Sequence, residues 1–222
     1  MDTSRQIARR LLEVGAVRLQ PGNPFTWASG LRSPIYCDNR VLLSFPAIRN
    51  EVVTALGGAA LRACGVGAPE GLASHIEGVA GVATAGIPHG ALLADRLGLP
   101  FVYIRSSAKE HGRRNQIEGR LESGKRYLVV EDLISTGGSS LKAIAALRAA
   151  GGEAAAAVAI FTYQFPAAER AFAQADVPLH TLSNYSVLLE EARAMGQLTQ
   201  AEADTLAQWR TDPRQWSENF SD

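Results

Sequence analysis

The sequence predicts an α/β protein built on a mostly parallel β-sheet that is flanked by helices, and two observations support this fold class. Short apolar segments of strand character alternate with segments whose apolar residues recur at helical spacing. One strand segment is followed at once by acidic, hydroxyl and glycine residues. Ligands bind at the carboxyl ends of the strands in such sheets, so this is where a site is expected.

The first third of the chain predicts two helices separated by irregular structure. An amphipathic pattern over residues 2–14 predicts the first helix. Residues 20–40 are rich in Pro, Gly and Ser, which is typical of turns and short extended pieces. A long Ala-rich helix is expected up to about Cys64, with Ser44 as its N-cap and Pro46 in its first turn.

The middle of the chain supplies the predicted parallel sheet. After a loop over residues 65–71, small and apolar residues predict a buried strand over 76–84 and a helix over 91–97. Further strands are expected over four short apolar segments, 101–104, 127–130, 154–161 and 179–182. Two more helices are expected between them, from Ser139 to about Ala150 and over 166–175.

The C-terminal tail predicts two helices. Thr199 and Glu202 have the spacing of a capping box at the start of the second. Trp209 and Trp216 are expected to anchor these terminal helices, not to bind a ligand.

The segment VVEDLISTGGSS, Val129 to Ser140, carries the strongest functional signal. A small-residue loop between a strand and a helix offers backbone N–H groups and the positive end of the helix dipole, and both favour phosphate. Glycines let the backbone approach an anion, and three hydroxyl side chains add donors: Thr136, Ser139 and Ser140. Glu131 and Asp132 can accept hydrogen bonds from neighbouring ribose hydroxyls. The segment therefore predicts a site for a phosphorylated sugar.

Other interpretations of this segment explain fewer of its residues. It is not a Walker loop, because no Gly-Lys-Ser/Thr follows the glycines, and it lacks the GxGxxG spacing of dinucleotide sites. An ordinary strand–helix turn with capping Ser and Thr stays open as the alternative.

Residues 105–119 form the densest basic stretch of the chain. The stretch lacks apolar periodicity and contains two glycines, so a mobile surface loop is expected over about 106–119. Arg105, Lys109 and His111 could neutralise the charge that collects on a departing pyrophosphate. The loop could also exclude water when it closes. A solvated loop whose charges bind nothing stays open as the alternative.

Composition limits the classes of function. The chain has 222 residues, 46% of them hydrophobic and 20% charged, which fits one globular domain over 1–222. Its formal net charge is +0, so no overall field attracts it to nucleic acid or to a membrane. Two cysteines without a CxxC motif argue against a disulfide framework or a zinc site and favour the cytoplasm. His75, His89 and His180 receive no role.

Three motifs together resemble the orotate phosphoribosyltransferase family of type I phosphoribosyltransferases. They are FTWASGLRSPIYCDNR, AGIPHGALLADRLGLPFVYIRSSAKEHGRRNQIEG and VVEDLISTGGSS. The resemblance covers the chain from its first helix to its C-terminal helices. It implies the type I phosphoribosyltransferase fold with a small N-terminal hood over about residues 1–40. It also implies Mg²⁺-dependent transfer of the phosphoribosyl group from phosphoribosyl pyrophosphate (PRPP) to orotate, which gives orotidine 5'-monophosphate and pyrophosphate in pyrimidine biosynthesis.

The resemblance implies roles for individual residues. Lys109, Glu131 and Asp132 are the implied catalytic residues, the two acids holding the ribose hydroxyls. PRPP is expected to contact Arg105, Lys109, His111, Glu131, Asp132, Leu133, Ile134, Ser135, Thr136, Gly137, Gly138 and Ser139. Ser135 would contact orotate. Mg²⁺ would be bound mainly through PRPP, with no metal ligands from the protein. A homodimer is implied, in which each loop reaches the partner's site.

The sequence departs from the common bacterial pattern at three places. Ala28 and Ser106 stand where many members carry basic residues, and Phe161-Thr162-Tyr163 replaces an Asp-Arg pair whose arginine helps to hold orotate. Another branch of the family shares the Phe-Thr-Tyr form. Arg32, or backbone N–H groups of residues 25–36, could anchor orotate instead.

Two other functions remain as alternatives. A regulatory PRPP sensor on the same fold would usually need a nucleic-acid surface, and the chain has no basic helix to supply one. A purine-type transferase is disfavoured by the N-terminal segment and by the Lys-x-His-Gly loop.

Overall fold

The computed structural model describes residues 2–27, 30–107 and 116–219, which form eight α-helices, ten β-strands and two 3₁₀ helices. The helices are α1 (Thr3–Glu13), α2 (Pro46–Ala63), α3 (Gly86–Leu97), α4 (Gly138–Ala149), α5 (Pro166–Gln174), α6 (Tyr185–Ala194), α7 (Gln200–Thr211) and α8 (Pro213–Asn219). The strands are β1 (Val17–Leu19), β2 (Phe25–Thr26), β3 (Arg32–Ser33), β4 (Ile35–Cys37), β5 (Gly78–Val82), β6 (Phe101–Ile104), β7 (Ile117–Glu118), β8 (Arg126–Ile134), β9 (Glu153–Thr162) and β10 (Leu179–Asn184). The 3₁₀ helices span Asn39–Ser44 and Pro69–Ser74.

The chain divides into two compact units. Pro46–Leu182 form the sheet unit, and Met1–Phe45 together with Ser183–Asp222 form the terminal unit. The sequence assigned only about residues 1–40 to a hood. In the structure this segment shares its unit with the C-terminal helices, a long-range association that no local pattern encodes.

A six-stranded sheet in the order β10-β9-β8-β5-β6-β7 confirms the predicted α/β class. Strand β5 pairs in parallel with β6 and β8, and β8 pairs in parallel with β9. The edge strand β7 pairs antiparallel with β6. All five residues of β5 are buried, as expected for a strand that is covered on both faces.

Strand β8 is longer than predicted, and this changes the position of the acids. The apolar pattern predicted a strand over 127–130, but parallel pairing with β9 continues to Leu133 opposite Phe161 and Ile134 opposite Thr162. Glu131 and Asp132 therefore lie within the paired part of β8, near its end, and not in a loop after the strand. The ladder restricts their backbone more than a loop would.

Helix α3 begins five residues before the predicted start at Ala91. Its glycines and Pro88 resemble a loop in sequence, yet proline is tolerated in a first helical turn, where N–H groups lack partners anyway. Gly86 is needed for packing. A Cβ atom there would collide with the carbonyl oxygen of Val130 and lie 3.3 Å from the Cα of Glu131. The start of α3 thus packs directly on β8 beside the acids.

The terminal unit contains two antiparallel strand pairs, β1–β4 and β2–β3, and the helices α1, α6, α7 and α8. Its core includes Trp209, which is fully buried and has its ring edge-on to Trp27 at a centroid distance of 5.8 Å. Tyr185 donates its hydroxyl to the carbonyl of Leu206 at 2.8 Å. Arg5 forms ion pairs with Glu190 and the buried Glu191. The anchoring role predicted for Trp209 is confirmed.

Other local predictions were partly wrong. Ser44 ends the first 3₁₀ helix and does not cap α2, although α2 begins at Pro46 as expected. The tail has three helices instead of two, because Pro213 starts α8 directly after α7. The capping box at the start of α7 is confirmed, with Thr199 and Glu202 bonded reciprocally. Among the described helices, none has the length and apolarity needed to cross a bilayer.

Candidate active site

The carboxyl end of β8 presents the two acids in different environments. Glu131 is 6% exposed, whereas Asp132 is half-buried. One oxygen of Glu131 accepts the backbone N–H of Asp132 at 3.0 Å, and its other oxygen accepts the hydroxyl of Ser140 at 3.0 Å. Glu131 is therefore tied to α4, while Asp132 keeps more contact with solvent.

Burial raises the pKa of Glu131 above its ordinary value of 4.5, and the neighbouring Asp132 carboxylate raises it further. The hydrogen bonds from the Asp132 backbone and from the Ser140 hydroxyl act in the opposite direction, because they stabilise the ionised form. Perturbed carboxyl groups of this kind occur most often at functional sites.

The turn between β8 and α4 comprises only residues 135–137 and leads directly into the N-terminus of α4. Gly137 precedes this helix with φ of +81°, a left-handed conformation that favours glycine. A Cβ atom at this position would also lie 3.0 Å from the ring of Phe172. No acidic residue occurs in the first turn of α4. The turn thus directs backbone N–H groups and a positive dipole end outward, which suits an anion.

The predicted hydroxyl donors of this turn do not all face solvent. Thr136 and Ser139 are exposed, and Ser135 is half-buried. Ser140 is only 1% exposed and donates to Glu131. Its expected contribution to anion binding was therefore wrong. The cause is the helical periodicity of α4, which turns position 140 towards the sheet.

A cleft of about 330 Å³ lies against the start of α4. The cleft is lined by the ends of β5 and β6, the residues that follow them, the residue before β7 and the start of α4. The lining residues are Val82, Ala83, Ile104, Arg105, Ser106, Gln116, Gly138, Ser139, Lys142 and Ala143. Among the described residues of its lining, Arg105 and Lys142 are basic and none is acidic. The cleft therefore brings the start of α4 together with Arg105, the first residue of the basic stretch.

Arg105 is held from the β7 side of the cleft. Its backbone N–H donates to the carbonyl of Gln116 at 2.8 Å, so the two ends of the basic segment are joined. Its guanidinium lies 3.8 Å from the carboxylate of Glu118. The loop was expected to extend to 119, but Ile117–Glu118 pair with β6 as β7. The non-strand part of the segment therefore ends before Ile117.

Lys142 is a site residue that the sequence interpretation missed. It is exposed on α4 and lines the cleft together with Arg105. Its position four residues after Gly138, one helical turn further on, could have indicated this, because residues i and i+4 share a helix face.

Several predicted site residues cannot be joined to this cleft. Lys109 and His111 lie outside the described residues, as does Ala28. Arg32 is in the terminal unit on β3, where its backbone N–H donates to the hydroxyl of Ser217 at 2.9 Å. Its predicted role in orotate binding stays a prediction.

The residues that replace the Asp-Arg pair lie at the end of β9, beside the start of the turn. Thr162 is opposite Ile134, and its hydroxyl accepts the backbone N–H of Gln164 at 3.0 Å. Tyr163 is 3% exposed and packs edge-on against Phe161. Tyr163 therefore belongs to the core.

The three histidines are placed outside this constellation. His75 is exposed and bonded locally to Gly71 and Ser74, and His89 is buried within α3. The pKa of His180 is lowered by burial and by the positive charge of Arg62. In the described part of the chain, no group of three or more His, Cys, Asp or Glu is arranged to hold a metal ion.

Comparison with known families assigns the sheet unit to a class. The family model for the phosphoribosyl transferase domain matches residues 72–176, which include β5 to α5 and the whole turn after β8. The fold and the anion-binding turn thus define a phosphoribosyl transferase domain of type I.

Individual relatives narrow the class further. The chain is 50% identical over 215 residues to orotate phosphoribosyltransferase of Bacteroides thetaiotaomicron, covering 97% of each protein. It is 48% identical over 219 residues to the enzyme of that name from Streptococcus agalactiae, covering 97% of this chain and 99% of the relative. The crystal structure of orotate phosphoribosyltransferase from Aeropyrum pernix matches with a TM-score of 0.70 and 31% identity, over 87% of this chain and 99% of that one. The chain belongs to the orotate phosphoribosyltransferase family.

Proposed function

We propose that this protein transfers the phosphoribosyl group of PRPP to orotate, giving orotidine 5'-monophosphate and pyrophosphate in pyrimidine biosynthesis. One observation carries the proposal: an acid pair at the end of β8 directly precedes an anion-binding turn at the start of α4. A phosphate site alone has no use for two adjacent carboxylates, whereas a phosphorylated ribose uses both features. Full-length identity of about half to relatives named for this reaction supports the choice of orotate.

The turn and the acids divide the substrate between them. Residues 133–139 would bind the 5-phosphate through backbone N–H groups and through the exposed hydroxyls of Thr136 and Ser139. Asp132 would accept hydrogen bonds from the ribose hydroxyls, and Glu131 would border the ribose from its buried position. Their negative charge also favours the positive charge that develops on the ribosyl group.

The basic segment would act on the leaving group. As the bond between the anomeric carbon and pyrophosphate breaks, its electron pair remains on the pyrophosphate oxygen. A ring nitrogen of orotate then forms the new bond to that carbon, and the proton that this nitrogen carried passes to solvent or to the departing pyrophosphate. Arg105 at the cleft, with Lys109 and His111 from the loop, would stabilise the charge on pyrophosphate. A closed loop would exclude water from the reactive ribosyl cation.

We propose that Mg²⁺ enters as a complex with PRPP. Mg²⁺ prefers oxygen ligands and keeps water and substrate phosphate in its coordination shell. When bound, it would neutralise part of the pyrophosphate charge. We assign it no protein ligand.

Orotate would be held without the arginine that many relatives use. Ser135, half-buried at the start of the turn, is our proposed hydroxyl contact. Arg32, or backbone N–H groups of residues 25–36, would supply the contact to the orotate carboxylate.

We further propose a homodimer in which each loop completes the partner's site. Cytoplasmic location is proposed because the chain has only two cysteines, Cys37 and Cys64, and no CxxC motif.

Orotate absorbs in the near ultraviolet and loses this band on conversion, so one assay tests the function. Purified protein with PRPP, Mg²⁺ and orotate should show the loss of absorbance. The variant Asp132→Asn, which keeps the size of the side chain but not its charge, should be much slower. Turnover of a purine base in place of orotate would identify a purine-type transferase. PRPP binding without turnover of any base would favour a sensor.

A further inference from the structure

A buried hydrogen bond joins β8 and α4 on the two sides of the turn between them. The hydroxyl of Ser140, in the first turn of α4, donates to an oxygen of Glu131 on β8 at 3.0 Å. Ser140 is 1% exposed and Glu131 is 6% exposed. The eight residues between them, 132–139, contain Asp132 and the whole turn that would bind the 5-phosphate.

This hydrogen bond helps to fix the orientation of the Glu131 carboxylate. One oxygen accepts the N–H of Asp132 and the other accepts the Ser140 hydroxyl, so rotation of the group would break a bond in a buried place. If a buried carboxylate loses a hydrogen-bond donor, its ionised form is destabilised, because the lost contact with water is no longer compensated. Ser140 is therefore a side chain on which the state of Glu131 depends.

We propose that Ser140 is a positioning residue for phosphoribosyl transfer: its hydroxyl holds the Glu131 carboxylate towards the ribose and closes the phosphate turn at its two ends. The inference rests on the proposed function, since it assigns Glu131 to the ribose. Ser140 itself contacts no substrate. It acts through Glu131 and through the start of α4.

The groups around Glu131 show why this hydroxyl matters. Opposite Glu131 on β9 is Ala159, and α3 approaches it through Gly86, so neither of these residues offers a polar side chain. Asp132 is the charged group that acts on Glu131 among the described residues, and it repels the ionised form. Two donors favour the ionised form, the backbone N–H of Asp132 and the hydroxyl of Ser140. Only the second can be removed by a side-chain substitution.

Two variants of equal shape separate the hydroxyl from packing. Ser140→Thr keeps the hydroxyl and Ser140→Val replaces it with a methyl group, so both add similar volume to the same buried place. We expect kcat/KM for PRPP to be at least about 10-fold lower in the Val variant than in the Thr variant, as for loss of a hydrogen bond to a charged group. The acid limb of the pH profile should move about one pH unit higher in Val, since the ionised form loses a donor.

Ligand binding gives a second readout that a purely structural role would not move. Affinity for pyrophosphate alone, measured by calorimetry, should be the same in the Thr and Val variants, because pyrophosphate lacks the ribose to which Glu131 is assigned. Affinity for PRPP and for orotidine 5'-monophosphate should be weaker in Val. Equal PRPP kinetics, equal pH profiles and equal ribose-ligand affinities in the two variants would overturn the proposal.

The experiment also separates this inference from the proposed function. Absence of orotate turnover by the unmodified protein contradicts the function. The pH dependence of PRPP binding by the Thr and Val variants then still tests Ser140. If both variants unfold, Ser140→Ala, which adds no volume, replaces Val and is compared with the unmodified protein on the same readouts.

Discussion

The carboxylate of Glu131 is buried, lies beside the charged Asp132 and accepts two hydrogen bonds. Burial and the Asp132 charge favour its neutral form, and the two hydrogen bonds favour its ionised form. An acid kept at such a position usually has a function, because an apolar side chain would be more stable there. We therefore expect rising pH to lower stability and, along the acid limb of the pH profile, to raise activity.

Glu131→Gln should make the protein less sensitive to rising pH. The pKa of Glu131 is higher in the folded than in the unfolded state, so the folded chain binds more protons above the ordinary value of 4.5. Stability is then lost as pH rises, by up to about 1.4 kcal/mol per pH unit for one proton. Urea unfolding of both proteins at about pH 5 and about pH 8 measures this difference. A gap between the two that is independent of pH would contradict it.

Lys109→Ala should lower the rate of turnover far more than the affinity for PRPP. The charge on pyrophosphate is greatest at the transition state, so a cation placed for it contributes most there. Loss of one such donor lowers the rate by about 10²–10³-fold. Steady-state kinetics combined with PRPP binding tests this. If affinity collapses and the maximal rate survives, Lys109 is a ground-state anchor.

At the scale of elements, α3 supports the site by close contact with β8. Gly86 allows the helix to begin against the Val130 carbonyl and the Glu131 backbone. Gly57, within α2 of the same unit, is a matched control. A Cβ atom there would meet only Leu93, at 3.9 Å. The same substitution to alanine therefore creates a clash at Gly86 and none at Gly57.

Gly86→Ala should destabilise the protein by about 1–3 kcal/mol, the usual range for overpacking. It should also reduce activity, because relief of the clash displaces the backbone of Glu131. Gly57→Ala should instead stabilise by about 0.5–1 kcal/mol, since alanine favours a helix interior. Urea unfolding and the orotate assay measure both effects. A stable and fully active Gly86→Ala variant would show that α3 can shift freely on β8.

Helix α4 contributes a cation to the cleft through Lys142, and this leads to a prediction about PRPP. Lys142→Gln should raise the KM for PRPP by about 10-fold, equivalent to about 1.4 kcal/mol, and leave the KM for orotate unchanged. Arg148→Gln removes one charge from the last turn of the same helix and serves as control. Equal effects of the two variants would indicate a general charge effect instead of a contact in the cleft.

At the scale of the whole molecule, the proposed shared site can be tested by subunit exchange. Lys109→Ala and Asp132→Asn are each expected to retain very little activity. In a mixed dimer whose loops act on the partner, one site has both lesions and the other has none. Activity should therefore return on mixing, with one working site in each mixed dimer. No recovery, with exchange shown independently by a tag on one variant, would place each loop in its own subunit's site.

Local patterns were sufficient for most of the sheet unit. Apolar segments of strand length located the central strands, and the small-residue segment after the Glu-Asp pair located the start of α4. They failed at Gly86 and Pro88, where glycine and proline resemble a loop but serve close packing on β8. They also misjudged Ser140, whose hydroxyl resembles a phosphate donor in sequence and bonds Glu131 in the fold.

The sequence by itself determined the fold class, the family and the acid, hydroxyl and basic residues around which a phosphoribosyl site can be built, because these depend on residue types at short spacing. Only the tertiary structure decided which of them meet. Pairing of β8 with β9 set the acids within a strand, and Lys142 joined Arg105 in one cleft. The different environments of Glu131 and Asp132 arise in the same way, since burial depends on residues distant in the chain.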